Sequence, residues 1–359
     1  KIILDATFVQ NHTTGLSKYA YNIIKYLGLI DNHNNYLVLI NKNLKLNHRI
    51  FQLIDRYENF KSMKIQIKPI GPLRDIKFLL LRRKLGNYDI FHSLSSNAPV
   101  FYKNNMITTV HDLTYLRYPE YLGKLSRLKK AYINLVYRRI SQNHKKIITV
   151  SYSTRDDFID TFKPDKNKVR VIYNGFEPWQ ESQREETIEE SFKPFFLYVG
   201  DSRPHKNLEL MIEAYGKLKE DYSAYKLLLV GNIPLKYGNI DGVNVFNNVS
   251  NQLLYSFYKS SYAVLLPSFY EGFGLTILEA FSANKPVITS NVASMSEVAE
   301  KGAIYVDPYS VNSIYKAMKK LIEELSTYES LTSQTDKILK KYSWESAALN
   351  ILKLYEELL

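Results

Sequence analysis

Two acidic residues, Glu271 and Glu279, bracket the run Glu271-Gly272-Phe273-Gly274-Leu275-Thr276-Ile277-Leu278-Glu279, which follows an apolar segment and Pro267-Ser268. The glycines allow a ligand to approach the backbone closely. A helix opening at about Leu275 offers free N–H groups and the positive end of its dipole to a phosphate. Glu271 falls in the loop and Glu279 inside the helix, so the two carboxylates can hold different hydroxyl-bearing parts of one ligand. The plainer alternative is a solvated loop acid followed by a first-turn helix acid. A second run, Gly200-Asp201-Ser202-Arg203-Pro204-His205-Lys206-Asn207, combines a glycine turn, two cations and a helix start. Arg203 can fork onto two oxygens and Lys206 acts as a point charge, a pairing suited to a diphosphate. It lacks the Gly-Lys-Ser/Thr of a Walker loop, and an exposed charged loop is the alternative.

Thr109-Val110-His111-Asp112-Leu113 ends an apolar run, which puts a histidine at the end of a strand. A structural histidine beside a turn-capping Asp112 is equally compatible with that spacing. Thr13-Thr14-Gly15-Leu16-Ser17 opens a helix after the first strand, and its single glycine is compatible with an ordinary loop-to-helix turn.

The segments between these runs alternate. Short apolar, β-branched stretches are expected as strands at 2–4, 36–40, 64–67, 90–92, 106–110, 146–150 and 169–172. Helical spacing is expected at 16–27, 73–85, 124–143 and 153–162. After Tyr173-Asn174-Gly175, the acidic stretch Gln180–Ser191 reads as a linker. A second series follows, with strands at 195–199, 226–230, 243–246, 263–266, 286–289 and 303–306. Its helices are expected at 207–219, 251–260, 275–283 and 295–300, and two long ones at 310–325 and 344–358. Unalternating strands separated by helices imply parallel sheets covered on both faces. Two such doubly wound α/β domains would place ligands at the carboxyl ends of their strands, in the cleft between them.

Composition narrows the classes. The 359 residues are 45% hydrophobic and 23% charged, which excludes a disordered or collagen-like chain. Cysteine is absent, so there is no disulfide, thiol nucleophile or thiolate metal site. No apolar run reaches the ~20 residues of a membrane span, and Lys1–Asp5 reads as a strand rather than a signal peptide. The net charge of +12 is uneven. Residues 1–180 carry 30 Lys and Arg against 13 Asp and Glu, a net +17; residues 181–359 carry 18 against 23, a net −5. The first half therefore faces something anionic. A basic nucleic-acid-binding protein stays open on charge alone, although no nucleic-acid motif is present. An epimerase or phosphorylase could share the two-domain plan. No G-x-G-x-x-G opens either half, which argues against a dehydrogenase.

Together the four runs resemble glycosyltransferase family 4, the retaining GT-B enzymes that use nucleotide sugars. Glu271 and Glu279 match its E-x(7)-E motif, Arg203 and Lys206 its diphosphate-binding pair, and Val110-His111-Asp112 its N-terminal histidine. Tyr173-Asn174-Gly175 resembles the turn that ends the first domain. Ser343-Trp344-Glu345 resembles the start of the helix that returns to it. Val110–Glu120 is most similar to bacterial mannosyltransferase-type members that build O-antigen or capsule. The family often has Gly-Gly-Ile where this chain has Thr14-Gly15-Leu16, and glycine where it has Asn248.

The resemblance implies two Rossmann-like domains facing across a cleft: residues 1–178 with 344–359 for the acceptor, and 192–343 for the nucleotide sugar. Arg203, Lys206 and the N–H groups near Leu275 and Thr276 would neutralise the departing diphosphate. Glu279 would bind the ribose, and Glu271 with the Gly272-Phe273-Gly274 backbone the donor sugar. His111 would contact that sugar, and Gly15 and Leu16 would form an acceptor or diphosphate loop. The leaving phosphate oxygen would take the acceptor proton, with no protein nucleophile; the carboxylate pair of a hydrolase is not identifiable. The resemblance further implies no metal or other cofactor and a lipid-diphosphate-linked glycan acceptor. It implies a cytoplasmic location, peripheral on the inner face of the membrane. The run from Lys124 to Lys146 holds eight Lys and Arg and no acid. A second basic group, Arg74, Lys77, Arg82, Arg83 and Lys84, surrounds Phe78–Leu81. Both suit an anionic lipid surface, with a solvated helix face as the alternative.

Overall fold

The computed structural model describes residues 1–11, 14–67, 71–99, 105–123, 126–177, 179 and 186–359. Thr13, Lys124, Leu125 and residues 180–185 of the expected linker lie outside them. The chain forms two units: Lys1–Gly175 with Ser343–Leu359, and Phe176–Tyr342. Glu186 belongs to the second, where its backbone N–H donates to Ser256 Oγ at 2.9 Å.

The first unit is a seven-stranded parallel sheet. Its strands are β1 (Ile2–Asp5), β2 (Tyr36–Asn41), β3 (Phe60–Ile65), β4 (Ile90–Ser93), β5 (Met106–Val110), β6 (Lys146–Thr149) and β7 (Val169–Val171). They lie in the order β3-β2-β1-β4-β5-β6-β7, with β1 paired to β2 and to β4. The helices are α1 (Gly15–Ile30), α2 (Arg49–Ile54), α3 (Pro72–Leu85), α4 (Thr114–Arg117), α5 (Ser126–Asn143) and α6 (Tyr152–Phe162). The last helix of the chain, α14 (Trp344–Glu356), joins this unit and packs Trp344, Ile351 and Tyr355 against Tyr19, Ile23 and Leu27 of α1. The chain passes so close at Gly175 that a Cβ there would lie 2.1 Å from the Trp344 nitrogen. On the opposite sheet face, Ile3 and Phe91 pack with Phe78 of α3 and with Ile133, Val136 and Ile140 of α5.

Two expectations for this half are corrected. The third strand begins at Phe60, not Lys64, because it is an edge strand paired only with β2; Lys61, Ser62 and Lys64 disguise it by facing out. Arg74 is not part of the basic surface. It shares a face of α3 with Phe78, is 2% exposed and forms a buried ion pair with Asp5.

The second unit repeats the plan with six parallel strands in the order β10-β9-β8-β11-β12-β13. These are β8 (Phe195–Asp201), β9 (Lys226–Asn232), β10 (Val243–Phe246), β11 (Ala263–Leu266), β12 (Val287–Ser290) and β13 (Ala303–Val306). The helices are α7 (Leu208–Asp221), α8 (Asn251–Ser260), α9 (Leu275–Ser282), α10 (Ser294–Ala299), α11 (Val311–Glu323), α12 (Leu325–Thr332) and α13 (Thr335–Leu339). The strand order reverses at β8/β11, and the loops leaving those two strands frame the topological switch point where doubly wound sheets bind ligands. Among the described residues no helix is long and apolar enough to cross a membrane.

Candidate active site

The switch-point loops of the second unit carry both of its chemistry-bearing runs. β8 and β9 approach so closely at Gly200 and Gly231 that a Cβ on Gly231 would meet the Gly200 carbonyl at 1.8 Å. Asp201, the last residue of β8, then folds the loop back. Its Oδ1 accepts from the Arg203 backbone N–H at 3.1 Å, and its carboxylate accepts from Arg203 Nε at 2.8 and 3.0 Å. Burial alone would raise the Asp201 carboxyl, but the Arg203 hydrogen bonds and charge, with Lys206, hold it below the usual range. Arg203 is thereby aimed while staying about half exposed.

Asn207 takes a left-handed conformation, φ 59°, which asparagine tolerates better than most residues. Its Nδ2 donates to the Pro267 and Pro308 carbonyls at 2.8 and 2.6 Å, binding three loops together. The Phe269 N–H donates to the His205 carbonyl at 2.7 Å. The His205 imidazole is pushed down to about 4, chiefly by burial, with Lys206 and Arg203 adding to it and Glu271 opposing.

These staples bring Lys206 to Glu271. The Lys206 ammonium donates to Glu271 Oε1 at 2.7 Å, and Ser268 Oγ donates to the same oxygen at 2.8 Å. The two side chains are only 15% and 12% exposed, so Glu271 is not a solvated loop acid. Ser294 at the start of α10 fixes the Glu271 carbonyl at 2.9 Å. Gly274 at φ 92° turns the chain into α9, and as the N-cap residue it makes no side-chain hydrogen bond to the first-turn N–H groups. Glu279 is 7% exposed and accepts from the Tyr258 hydroxyl at 2.7 Å. Trp179 stacks near Tyr255 and Tyr258 and donates Nε1 to the Glu279 carbonyl at 3.4 Å. The Phe273 side chain does not line the site. It is buried against Tyr342, so any contribution of Gly272-Phe273-Gly274 to a site would come from its backbone.

In the first unit His111 leaves the end of β5 with Nε2 2.9 Å from the Leu94 carbonyl. A carbonyl only accepts, so Nε2 carries the proton, and in the neutral ring Nδ1 presents a lone pair. Burial lowers the His111 pKa, against the Leu94 bond and the Asp112 charge, and so favours the neutral ring. The edge of the ring meets Tyr19 at 4.6 Å. Tyr19 hydrogen-bonds Thr109, Thr109 bonds His92, and His92 bonds Tyr355 of α14, at 2.9, 3.0 and 2.7 Å. Thr14 caps α1 by accepting from the Ser17 N–H, and Gly15 has open space where a side chain would be. Leu16 lines a pocket with His111, Asp112 and Tyr137. Gly15 and Leu16 thus stand in the same unit as His111, while Arg203, Lys206, Glu271 and Glu279 gather in the other.

Nothing in the sequence pointed to Ser294 or Tyr258 as partners of the two glutamates, or to the Tyr19-to-Tyr355 chain, because these contacts join separate segments, whereas Ser268 is only three residues from Glu271 in the same loop. Asp201 was legible in principle, since Asp-x-Arg spacing favours an Asx turn. Among the described residues no three His, Asp or Glu side chains gather in a way that could hold a metal ion.

Two doubly wound parallel units in one chain define the GT-B fold. Residues 13–180 match the Glycosyltransferase Family 4 profile and residues 180–338 the profile of Glycosyl transferases group 1. The chain is 31% identical over 253 residues to the O-antigen chain mannosyltransferase RfbU of Salmonella typhimurium, covering 67% of each protein. It is 25% identical over 389 residues to O-antigen chain mannosyltransferase B of Escherichia coli, covering 99% of each. Sucrose-phosphate synthase from Thermosynechococcus elongatus shares the fold, with a TM-score of 0.78 at 18% identity over 99% of this chain and 98% of that one. This chain belongs to glycosyltransferase family 4.

Proposed function

We propose that the protein transfers a hexose, mannose from GDP-mannose, with retention of configuration, to a lipid-diphosphate-linked glycan in bacterial surface polysaccharide synthesis. The observation that carries this reading is the convergence of Arg203, Lys206, Glu271, Glu279 and the uncapped start of α9 on the switch point of the second unit. The choice of mannose rests on the names of the relatives. Arg203, Lys206 and the helix end would stabilise the negative charge that develops on the departing diphosphate. Glu279 would hold ribose hydroxyls, and Glu271 with the glycine-rich backbone the sugar. His111, through its Nδ1 lone pair, would accept a hydrogen bond from a sugar hydroxyl. The leaving phosphate oxygen would take the proton of the attacking acceptor hydroxyl. With two cationic side chains assigned to the diphosphate, no metal cofactor is invoked, and turnover should survive EDTA.

Thermal protection tests the donor. A nucleotide at 100 times its Kd should add ~2.7 kcal/mol of stability. Protection by GDP and GDP-mannose but not UDP supports the reading; protection by UDP alone moves the donor to a UDP-sugar; no protection removes it. Arg203→Ala should weaken a nucleoside diphosphate more than the nucleoside, and equal losses would place Arg203 elsewhere. The anomeric configuration of the product by NMR decides retention.

We further propose that the first unit rests on anionic lipid at the inner face of the cytoplasmic membrane. On α3, Leu73, Ile76, Leu79 and Leu80 are exposed among Lys77, Arg82, Arg83 and Lys84; on α5, Leu128 and Leu135 stand exposed among Arg127, Lys129, Arg138 and Arg139. Each basic residue near such a surface contributes ~1 kcal/mol. Co-sedimentation with vesicles should rise with anionic lipid and fall with salt. Binding that ignores lipid charge, or that survives reversal of Arg127, Arg138 and Lys145 to Glu, counts against it.

A further inference from the structure

At the end of the second unit away from the switch-point loops lies an open cleft of about 400 Å³. Lys193-Pro194, Ser261-Tyr262 and Lys285 come just ahead of β8, β11 and β12, so they sit at the amino ends of those parallel strands. Ser260 ends α8, and Tyr328 belongs to α12. A strand of four residues, the length of β11, rises ~13 Å. That length separates the cleft from Lys206 and Glu271 at the carboxyl ends.

Among the described residues no Asp or Glu lines this cleft. Several of its polar groups are engaged within the protein. Ser261 Oγ donates to the Tyr258 carbonyl at 2.8 Å and the Tyr262 hydroxyl to the Leu321 carbonyl at 2.6 Å. Lys193 donates to Glu190 at 2.8 Å in a solvent-exposed pair. Three groups are not engaged. The Lys285 ammonium and the Ser260 and Tyr328 hydroxyls make no hydrogen bond or ion pair among the described residues. Lys285 is partly buried, and burial lowers its pKa, with the charge of Lys259 adding to the effect. A desolvated ammonium with a like charge beside it and no counter-ion is unfavourable, and a bound anion removes that cost. Residues 181–359 carry a net −5, so these cations do not follow from overall basicity. The three free groups stand on three separate elements and all offer hydrogens, which suits the several oxygens of a phosphate. A carboxylate, with two oxygens in one plane and a single charge, would engage fewer of them. A phosphate alone would leave much of the cleft to water. The Tyr262 and Tyr328 rings, 5.4 Å apart, and Pro194 give an apolar wall for an organic substituent.

We propose that this cleft binds a phosphomonoester, with the phosphate on Lys285, Ser260 and Tyr328 and the organic part against Tyr262 and Pro194. The site is separate from the switch-point loops, and the proposal does not depend on the sugar or nucleotide assigned to them.

The test is titration calorimetry on the full chain with phenyl phosphate, inorganic phosphate and benzoate. Phenyl phosphate should bind at least ~10-fold more tightly than either of the others, a difference readily resolved in Kd. Lys285→Met should weaken it at least ~10-fold. Tyr328→Phe, which keeps the ring and removes only the hydroxyl, should weaken it about 3- to 10-fold and serves if the first variant fails to fold. Arg203→Ala should leave it unchanged. Inorganic phosphate binding as tightly would make this a site for the free ion, and benzoate binding as tightly a site for any small anion; either overturns the proposal. So does an absence of phenyl phosphate binding, an affinity that ignores both cleft variants, or an affinity lost in Arg203→Ala, which would move the anion to the switch-point loops.

Discussion

Removing Lys206 tests how the switch-point loops of the second unit are held together. Its ammonium lies 2.7 Å from Glu271 Oε1, and both side chains are less than one-sixth exposed. An exposed pair contributes ~0–1 kcal/mol, whereas breaking a buried one costs ~3–5 kcal/mol because the survivor is left uncompensated. Here Ser268 still donates to Glu271, so Lys206→Met should destabilise the second unit by about 2–3 kcal/mol. Glu271→Gln should cost about 1–2 kcal/mol. The double variant should recover part of the loss, with a coupling of about 1–3 kcal/mol. The chain has two tryptophans, Trp179 in the second unit and Trp344 in the first. In a Trp344→Phe background, urea unfolding followed by Trp179 fluorescence therefore reports the second unit alone. Effects that add to within ~0.5 kcal/mol would show that the two groups do not sense each other, and the ion pair would lose its place in the argument.

Glu271→Ala should lower kcat at least ~10²-fold, whereas Tyr258→Phe, which strips the hydroxyl from Glu279, should raise the nucleotide-sugar KM about 5- to 30-fold with kcat nearly kept; the reverse pattern would exchange the two roles. Acid should weaken the first unit through His92 and His144, both pushed down to about 3 by burial. Their unfolded values lie near ~6.5, so the unfolded state binds more protons between ~6.5 and 3, and stability falls as pH drops, by roughly 2 kcal/mol per histidine at pH ~5. A melting temperature unchanged from pH ~7 to ~5 would contradict this. Ala293 sits at φ 52°, ψ −141° before α10, a conformation that favours glycine. Ala293→Gly should stabilise the second unit by about 1 kcal/mol after the entropy gained by the unfolded chain, and a lower melting temperature would show that no strain is stored there.

The two-unit plan was legible because each strand of a parallel sheet is a short apolar run and each crossover helix keeps its period. The reading failed where that pattern breaks. β3 is an edge with three exposed positions, α2 is six residues long, and α12 and α13 are short pieces inside what reads as a loop. The runs holding Arg203, Lys206, Glu271 and Glu279 were legible because each is one continuous stretch that follows a strand end, the second running from the loop into α9. Their partners were not, because Tyr258 reaches Glu279 from another helix and Arg74 reaches Asp5 across 69 positions. Asn248 has φ 56°, so the position where the family often carries glycine is a left-handed turn that asparagine also fills.

The return of α14 has a consequence for biosynthesis. The first unit is interrupted after Gly175 and resumes only at Ser343. A ribosome therefore completes all of Phe176–Tyr342 before it makes the helix that covers Tyr19, Ile23 and Leu27 and brings Tyr355 to His92. Until then the segment synthesised first has an open apolar face, while the segment synthesised second already has every strand of its sheet. The later-made unit is thus the first able to close its core, and the earlier-made one must stay unaggregated until Ser343–Leu359 has been made and can dock.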